Sequence, residues 1–185
     1  GRGAEVFPGN PPICPYLHNV YVTFSNRKVT LNENNLNPTK NKIVIYNPEK
    51  KKISHLSMIV TLPSNLARIT NITPLNGLTF TSKNISAGAA SFMIHNIPTD
   101  NPAEVLEIVE IDVVPWTIGN TTSKGVLTVS NLSIFDDQNR NADLKYTERY
   151  GVAEYTVIRS SETITISHTN QITQKPTEIV TATPI

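Results

Sequence analysis

The sequence predicts an all-β fold: a single jelly-roll or Ig-like β-sandwich of about nine strands with extended N- and C-terminal arms. Apolar and polar residues alternate with a period of two in many short runs, as in half-buried strands. Turn-forming residues, chiefly Asn, Asp, Pro and Gly, separate these runs about every dozen residues. Asn, Thr and Ser are abundant, whereas the helix formers Ala and Glu are sparse. Between the two arms, residues 19–159 show no internal repeat and no second region of different composition, so we predict one domain.

Each predicted strand is a run rich in Val, Ile, Leu or Thr that ends at a turn signal. The runs are residues 20–24, 28–31, 42–46, 56–62, 66–72, 78–81, 90–95, 103–114, 126–133 and 151–158. Residues 103–114 contain Glu and Leu and would also suit a helix. Because Val105, Ile108 and Ile111 do not share one helical face, we favour a strand there.

The two ends of the chain differ from the middle. We predict an extended arm at residues 1–18, the sandwich at 19–159 and a β-prone tail at 160–185. The arm holds four prolines, which lack the N–H that a central strand needs. Its Cys14 is the single cysteine, so no intramolecular disulfide forms. The chain begins with Gly1 rather than Met, which we interpret as removal of a secretory signal, so we expect an extracellular, cell-surface location.

Composition argues against several classes of function. Charged residues make up 17% of the chain and the net charge is +1, without a basic patch, so nucleic acid is not expected as a partner. No apolar run approaches the roughly 18 residues of a membrane span, so no transmembrane segment is expected. The four histidines show no ligand spacing, and the alternating carboxylates Glu107, Glu110 and Asp112 have no identifiable catalytic partner. We therefore predict that the protein is not an enzyme.

A polar segment after the predicted strand 126–133 has the spacing of a calcium-binding loop. Alternating oxygen-bearing side chains followed by a carboxylate suit a hard cation that takes six to eight oxygens. The candidate ligands are Asp137, Asn139, Asn141, Asp143 and Glu148. Ala142 stands where an EF-hand loop needs glycine, and the flanks are predicted strands. An Asx-rich hairpin loop without metal explains the same residues, and no other cofactor is predicted.

Four Asn-X-Ser/Thr sequons are present, at Asn71, Asn84, Asn120 and Asn131. In a chain this rich in Asn, Ser and Thr, about that number arises by chance, so the count alone does not establish glycosylation. If the protein is secreted, these asparagines are the candidate attachment sites. We favour Asn120, in a Gly-Asn-Thr-Thr-Ser loop, and disfavour Asn71 because Pro74 follows its sequon.

The order of features in residues 20–158 resembles that of cohesin modules. The resemblance lies in the apolar strand that ends in a proline turn, HLSMIVTLPSNLARITNITP, and in the later pair SNLSIFDDQNRNADL and GVAEYTVI. The sequence departs from the cohesin pattern in the Asp- and Asn-rich turn that follows SNLSIF, because this turn lacks the usual glycine. The resemblance implies a nine-stranded jelly roll that binds another protein, such as a dockerin-like partner, without catalysis.

The tail resembles the free strand of archaeal surface filament subunits of the thread or cannula type. Residues 162–168 alternate Thr and Ser against Ile, and residues 178–185 are also β-prone. A surplus strand exposes unpaired backbone groups and is stable when it joins another chain's sheet. We therefore predict a structural subunit of an extracellular filament that polymerises with itself, with Ile164, Ile166, Ile179 and Val180 as donor-strand residues. The N-terminal arm is the second candidate donor.

Two binding functions remain as alternatives. One is the cohesin-like protein-binding module. The other is a carbohydrate-binding module in which Trp116 and the tyrosines form a stacking platform, although a core or interface role suits so few aromatic residues better.

Overall fold

The computed structural model describes residues 18–116, 121–141 and 144–159, which form eleven β-strands and no helix. The strands are β1 (Val20–Phe24), β2 (Lys28–Asn32), β3 (Thr39–Tyr46), β4 (His55–Thr61), β5 (Ala67–Pro74), β6 (Phe80–Ser86), β7 (Ala89–Ile94), β8 (Val105–Pro115), β9 (Ser123–Phe135), β10 (Tyr146–Thr147) and β11 (Val152–Ile158). Among these described residues there is consequently no helix of the length and apolarity that a membrane span requires.

Two sheets pack against each other as a sandwich. The five-stranded sheet has the order β10-β1-β3-β8-β5, and the six-stranded sheet has the order β2-β11-β9-β4-β7-β6. The pairs β1–β10 and β2–β11 are parallel, whereas the other pairs are antiparallel. β2 lies near the beginning of the described chain and β11 near its end, so their pairing holds these two parts of the chain together.

The alternation seen in the sequence sorts side chains between the core and the outer faces. In β4, Leu56, Met58 and Val60 are buried between the sheets, so Ser57 and Ile59 point outward. The same alternation holds in β7, β9 and β11. β1 is buried on both sides, since its outward Tyr21 stacks on Tyr46 at a ring distance of 5.0 Å.

The predicted fold class is confirmed, whereas the number of strands and several boundaries differ from the sequence prediction, most of all in β6, which ends at Ser86 rather than at residue 81. The described residues form eleven strands rather than about nine: each of the ten predicted runs overlaps one strand, and the two-residue β10 has no sequence signal. β3 begins at Thr39, three residues before the predicted start, because the buried Asn41 is held inside the strand by side-chain hydrogen bonds. Residues 103–114, whose composition would also suit a helix, correspond to the strand β8. The division into arm, sandwich and tail stays a prediction.

Tyr155 in β11 is fully buried and titrates abnormally. Its hydroxyl accepts a hydrogen bond from Asn41 Nδ2 at 3.0 Å. Burial raises the pKa of Tyr155 to about 12, and the Asn41 contact offsets a smaller part of that shift. The folded protein therefore keeps this proton at a pH where an exposed tyrosine has lost it.

Raising the pH from about 10 to about 12 is expected to destabilise the protein through Tyr155. A tyrosine of the unfolded chain loses its proton near pH 10, so in this interval the folded state holds more protons. The contribution of protonated Tyr155 to the free energy of unfolding is complete below pH 10. Up to about 3 kcal/mol of it is lost as the pH rises through the pKa of Tyr155 in the folded state. Urea unfolding across this range should show a smaller loss for Tyr155→Phe than for the wild type. Equal losses would contradict the assignment.

Candidate functional site

The outward face of the six-stranded sheet carries three rows of side chains without a charge. The strand registers of β6, β7, β4 and β9 place these side chains next to one another. The rows are Ser82, Met93, Ser57 and Ser133; Asn84, Ser91, Ile59 and Ser130; and Ser86, Ala89, Thr61 and Thr128. We call these three rows the uncharged face. All of its members are half-buried or exposed.

The outward face of the five-stranded sheet has the opposite character. Lys40 Nζ lies 2.8 Å from Asp112 Oδ1 and 3.7 Å from Glu110 Oε1. Lys42 Nζ lies 3.1 Å from Glu107 Oε1. The hydrogen bond to Asp112 raises the pKa of Lys40, and the charge of Glu110 adds to that effect. The alternating carboxylates Glu107, Glu110 and Asp112 thus pair with lysines on a solvated surface.

Apolar groups stand within and beside the uncharged face. Met93 is 41% exposed, and Val126, the next outward residue of β9 beyond Thr128, is 47% exposed. Beyond Val126 the surface becomes charged, with Glu154 and Lys28 opposite each other in β11 and β2. Serine and threonine hydroxyls can both donate and accept hydrogen bonds, so this face can meet a partner without burying an unpaired charge.

A row of three rings borders the other end of the uncharged face. His55 is opposite Phe135, and their rings stack with centroids 4.7 Å apart and an interplanar angle of 10°. His95 follows β7 and lies beside His55, with ring centroids 4.9 Å apart. His55 Nε2 is also 3.0 Å from Asn139 Oδ1. These two histidines are 40 positions apart in the sequence and show no metal-ligand spacing there, because only the pairing of β4 with β7 brings them together.

The described candidates for calcium each make other contacts. Asp137 lies 3.8 Å from Lys52 Nζ, and Glu148 Oε1 accepts a hydrogen bond from Leu132 N at 3.0 Å. Asn139 faces His55, and Asn141 Nδ2 is 3.5 Å from the Tyr146 hydroxyl. Asp143 lies outside the described residues. Within the described ranges no three His, Cys, Asp or Glu side chains are grouped so that they could hold a metal, and calcium binding stays a prediction.

Asp136, which is not one of the candidate calcium ligands, organises the loop after β9. Its Oδ1 accepts hydrogen bonds from the backbone N–H groups of Gln138 and Arg140, both at 2.9 Å. These bonds, the one from Arg140 first, lower the pKa of Asp136. The pattern is that of an Asx-stabilised turn, which the Asn- and Asp-rich sequence also predicted.

The structure places three of the four sequons on the surface. Asn71 is exposed in β5, Asn84 is exposed within the uncharged face, and Asn131 is exposed in β9 with a φ of 51°. Asn120 lies outside the described residues, as do the candidate donor residues Ile164, Ile166, Ile179 and Val180. Glycosylation and strand donation by these residues stay predictions.

A pocket at one end of the sandwich lies between the segments 47–53 and 97–103. Its volume is about 120 Å³, and its lining is mostly apolar, including Ile45, Leu56 and Leu106. Asn47, Asn101 and Lys51 supply its polar groups. Its lining contains no carboxylate or imidazole that could act as a general acid or base.

No protein-family model and no curated protein sequence matches this chain. Solved structures do resemble it. A chain from a type I cohesin–dockerin complex of Clostridium thermocellum is 10% identical, with a TM-score of 0.59, and the match covers 80% of this chain and 98% of that one. The non-cellulosomal cohesin of the archaeon Archaeoglobus fulgidus is 10% identical, with a TM-score of 0.54, covering 81% and 97%.

A third similar structure is the cohesin module from a family 33 glycoside hydrolase of Clostridium perfringens. It is 13% identical, with a TM-score of 0.55, and the match covers 77% of this chain and 97% of that module. In each comparison nearly the whole cohesin aligns with most of this chain, so the shared part is a complete domain. The chain has a cohesin-like β-sandwich fold.

Proposed function

We propose that this chain is a protein-binding module that docks a partner through the uncharged face of its six-stranded sheet. The observation that carries the proposal is the contrast between the two outer faces. One bears paired charges, and the other has three rows of uncharged side chains across four strands. The centres of protein interfaces are depleted of charge, since an unpaired buried ion is costly.

The size of the uncharged face suits the centre of an interface. Four strands about 4.8 Å apart and three rows about 7 Å apart cover roughly 14 by 14 Å. A stable interface buries about 800 Å² on each partner, so the surrounding residues must contribute. The ring row of His55, His95 and Phe135 at one end and Val126 at the other are placed to form the rim.

The cohesin-like fold indicates the kind of partner. Structures similar to this chain include cohesins bound to dockerins, so we infer a dockerin-like protein as the partner. Residues 19–159 would be the binding module, with 1–18 and 160–185 as connecting arms, on an extracellular or cell-surface protein without catalytic activity. A glycan on Asn84 would stand within the uncharged face and would block docking.

Filament formation by strand addition is a second candidate, favoured by one feature of β6. This strand is the last of its sheet, its side chains are mostly exposed, and no other described strand pairs with its outer edge. A strand from residues 160–185 of a second copy would add to that edge. It would not fill a gap in the core, because the described strands already bury the core of both sheets. Lys83 and the register shift beside Phe80 are features that discourage edge pairing.

Ser91→Arg, at the centre of the uncharged face, is expected to weaken partner binding by at least about thirtyfold. The arginine would have to lose its water against an uncharged surface, at a cost of about 2–5 kcal/mol, or a thirtyfold or greater weakening. Titration calorimetry against a panel of purified dockerin modules measures the effect. Thr73→Arg, exposed on β5 of the other sheet, is the matched control and should bind as the wild type does.

Two results would contradict this proposal. Wild-type binding by Ser91→Arg would show that binding does not use the uncharged face, and equal loss with both arginine variants would show that the effect is not specific to that face. Failure of the wild type to bind any dockerin, together with filaments in electron micrographs of the concentrated protein, would favour strand addition instead.

A further inference from the structure

His55, His95 and Asn139 meet at one point although they come from distant parts of the chain. His55 opens β4, His95 follows the last residue of β7, and Asn139 lies in the loop after β9. The antiparallel register pairs Leu56 with Ile94, and its continuation by one residue sets the two imidazoles opposite each other. Side chains opposite each other in antiparallel strands have Cβ atoms about 5 Å apart. At that separation, two histidines can bind the same metal ion.

The distance from His55 to Asn139 suits two ligands of one ion. His55 Nε2 lies 3.0 Å from Asn139 Oδ1. Two donors at about 2.1 Å from one ion are about 3.0 Å apart at the right angles of square-planar copper or nickel, and about 3.4 Å apart in tetrahedral zinc. An ion bound by both atoms would take the place of this hydrogen bond and lie to one side of the line between them, with the two side chains turned toward it.

The surroundings hold two of the three groups in place and leave the third adjustable. Phe135 stacks against the His55 ring and limits its rotation. Asn139 has a left-handed backbone with a φ of 61°, and its N–H donates to the Asp136 carbonyl at 3.1 Å. His95 is exposed, with its ring tilted 58° from that of His55, so a side-chain rotation can turn a nitrogen toward the ion.

We propose that His55, His95 and Asn139 bind one divalent cation of the zinc, nickel or copper class. The two imidazole nitrogens are donors that these ions prefer and decide the choice, whereas the single amide oxygen is a harder donor and calcium takes an all-oxygen set. The remaining coordination positions face solvent and hold water or a group from a partner. The site lies at the rim of the uncharged face but does not depend on the proposed function.

The charges near the site tolerate a cation. Asp137 pairs with Lys52, and Asp136 pairs with Arg140 at 3.3 Å, so the neighbouring loop is nearly neutral. No described carboxylate or cation forms an ion pair with either imidazole. Because imidazoles gain a proton between about pH 8 and pH 5, a proton competes with the metal, and binding weakens as the pH falls through this range.

Titration calorimetry of the untagged full chain with zinc chloride tests the site. We expect one ion per chain at about pH 7.5 and weaker binding at about pH 5.5. His55→Ala and His95→Ala should each weaken binding about tenfold or more, because a lost ligand costs at least as much as a lost supporting contact. His18→Ala is the matched control, since His18 is an exposed histidine 3.1 Å from Glu49, and it should bind zinc as the wild type does.

Imidazole nitrogen NMR spectra identify the ligands independently of affinity. Zinc should shift the ring signals of His55 and His95 and leave those of His18 unchanged. The proposal is overturned if the double variant His55→Ala/His95→Ala binds zinc as the wild type does, or if His18 alone shifts. One ion per two chains with dimer formation would also overturn it, because the ion would then bridge copies.

Discussion

Replacing Phe24 with alanine is expected to lower the free energy of unfolding by about 3–5 kcal/mol. Phe24 is completely buried in β1 and belongs to the core between the two sheets. Deleting its ring removes buried apolar contacts and leaves a cavity that the rigid strands on either side cannot fill. Because natural domains are stable by only about 5–15 kcal/mol, this one change removes a large share of the total. Urea unfolding at neutral pH measures it.

Phe80→Ala is the matched control for Phe24→Ala. Phe80 is half-buried in the edge strand β6 and packs against the core from outside. Water can occupy part of the space its ring vacates, so we expect less than half of the effect. Equal losses for the two variants would mean that the core does not lie between the sheets as described.

Asn41→Ala is expected to cost about 2–4 kcal/mol although it removes no apolar contact. The Asn41 side chain is buried in β3 and joins three segments. Its Oδ1 accepts from Asn26 N at 2.9 Å and from Ser25 Oγ at 3.1 Å, while its Nδ2 donates to Asn26 O and to the Tyr155 hydroxyl. Alanine would leave these groups without their partner in a partly buried region.

A double-mutant cycle isolates this network. Tyr155→Phe removes the hydroxyl that Asn41 contacts, so Asn41→Ala should cost less in that background than in the wild type. Asn84→Ala, on the exposed face of β6, controls for the change from asparagine to alanine and should lie within about 0.5 kcal/mol of the wild type. Additive losses of Asn41→Ala and Tyr155→Phe would contradict the coupling.

The strands themselves were largely predictable from local pattern. Alternation in residues 56–62 and 126–133 identified β4 and most of β9, because one side of each strand packs on the core and the other meets water. Boundaries were less predictable where a polar residue is buried. Asn41 appears in the sequence as part of an Asn-rich loop, and only its distant partners Tyr155 and Asn26 hold it inside a strand.

The candidate site was predictable only in part. Each strand's outward residues could be inferred from its own alternation, for example Ser57 and Ile59 in β4. That they lie beside Ser133 and Ser91 depends on which strands are neighbours, and local pattern carries no information about strand order. The polar loop 136–141 was predicted correctly as a turn, but its contact with His55 could not be foreseen.

The amino-acid sequence was sufficient to establish that the protein is a β-sandwich in which one face of each strand lies in the core. This follows because side-chain period and turn residues are local properties. The folded sheets decided which outward side chains became neighbours, bringing uncharged residues of four strands onto one face and His55 beside His95. Strand order results from packing both sheets around one core, which involves the whole domain at once.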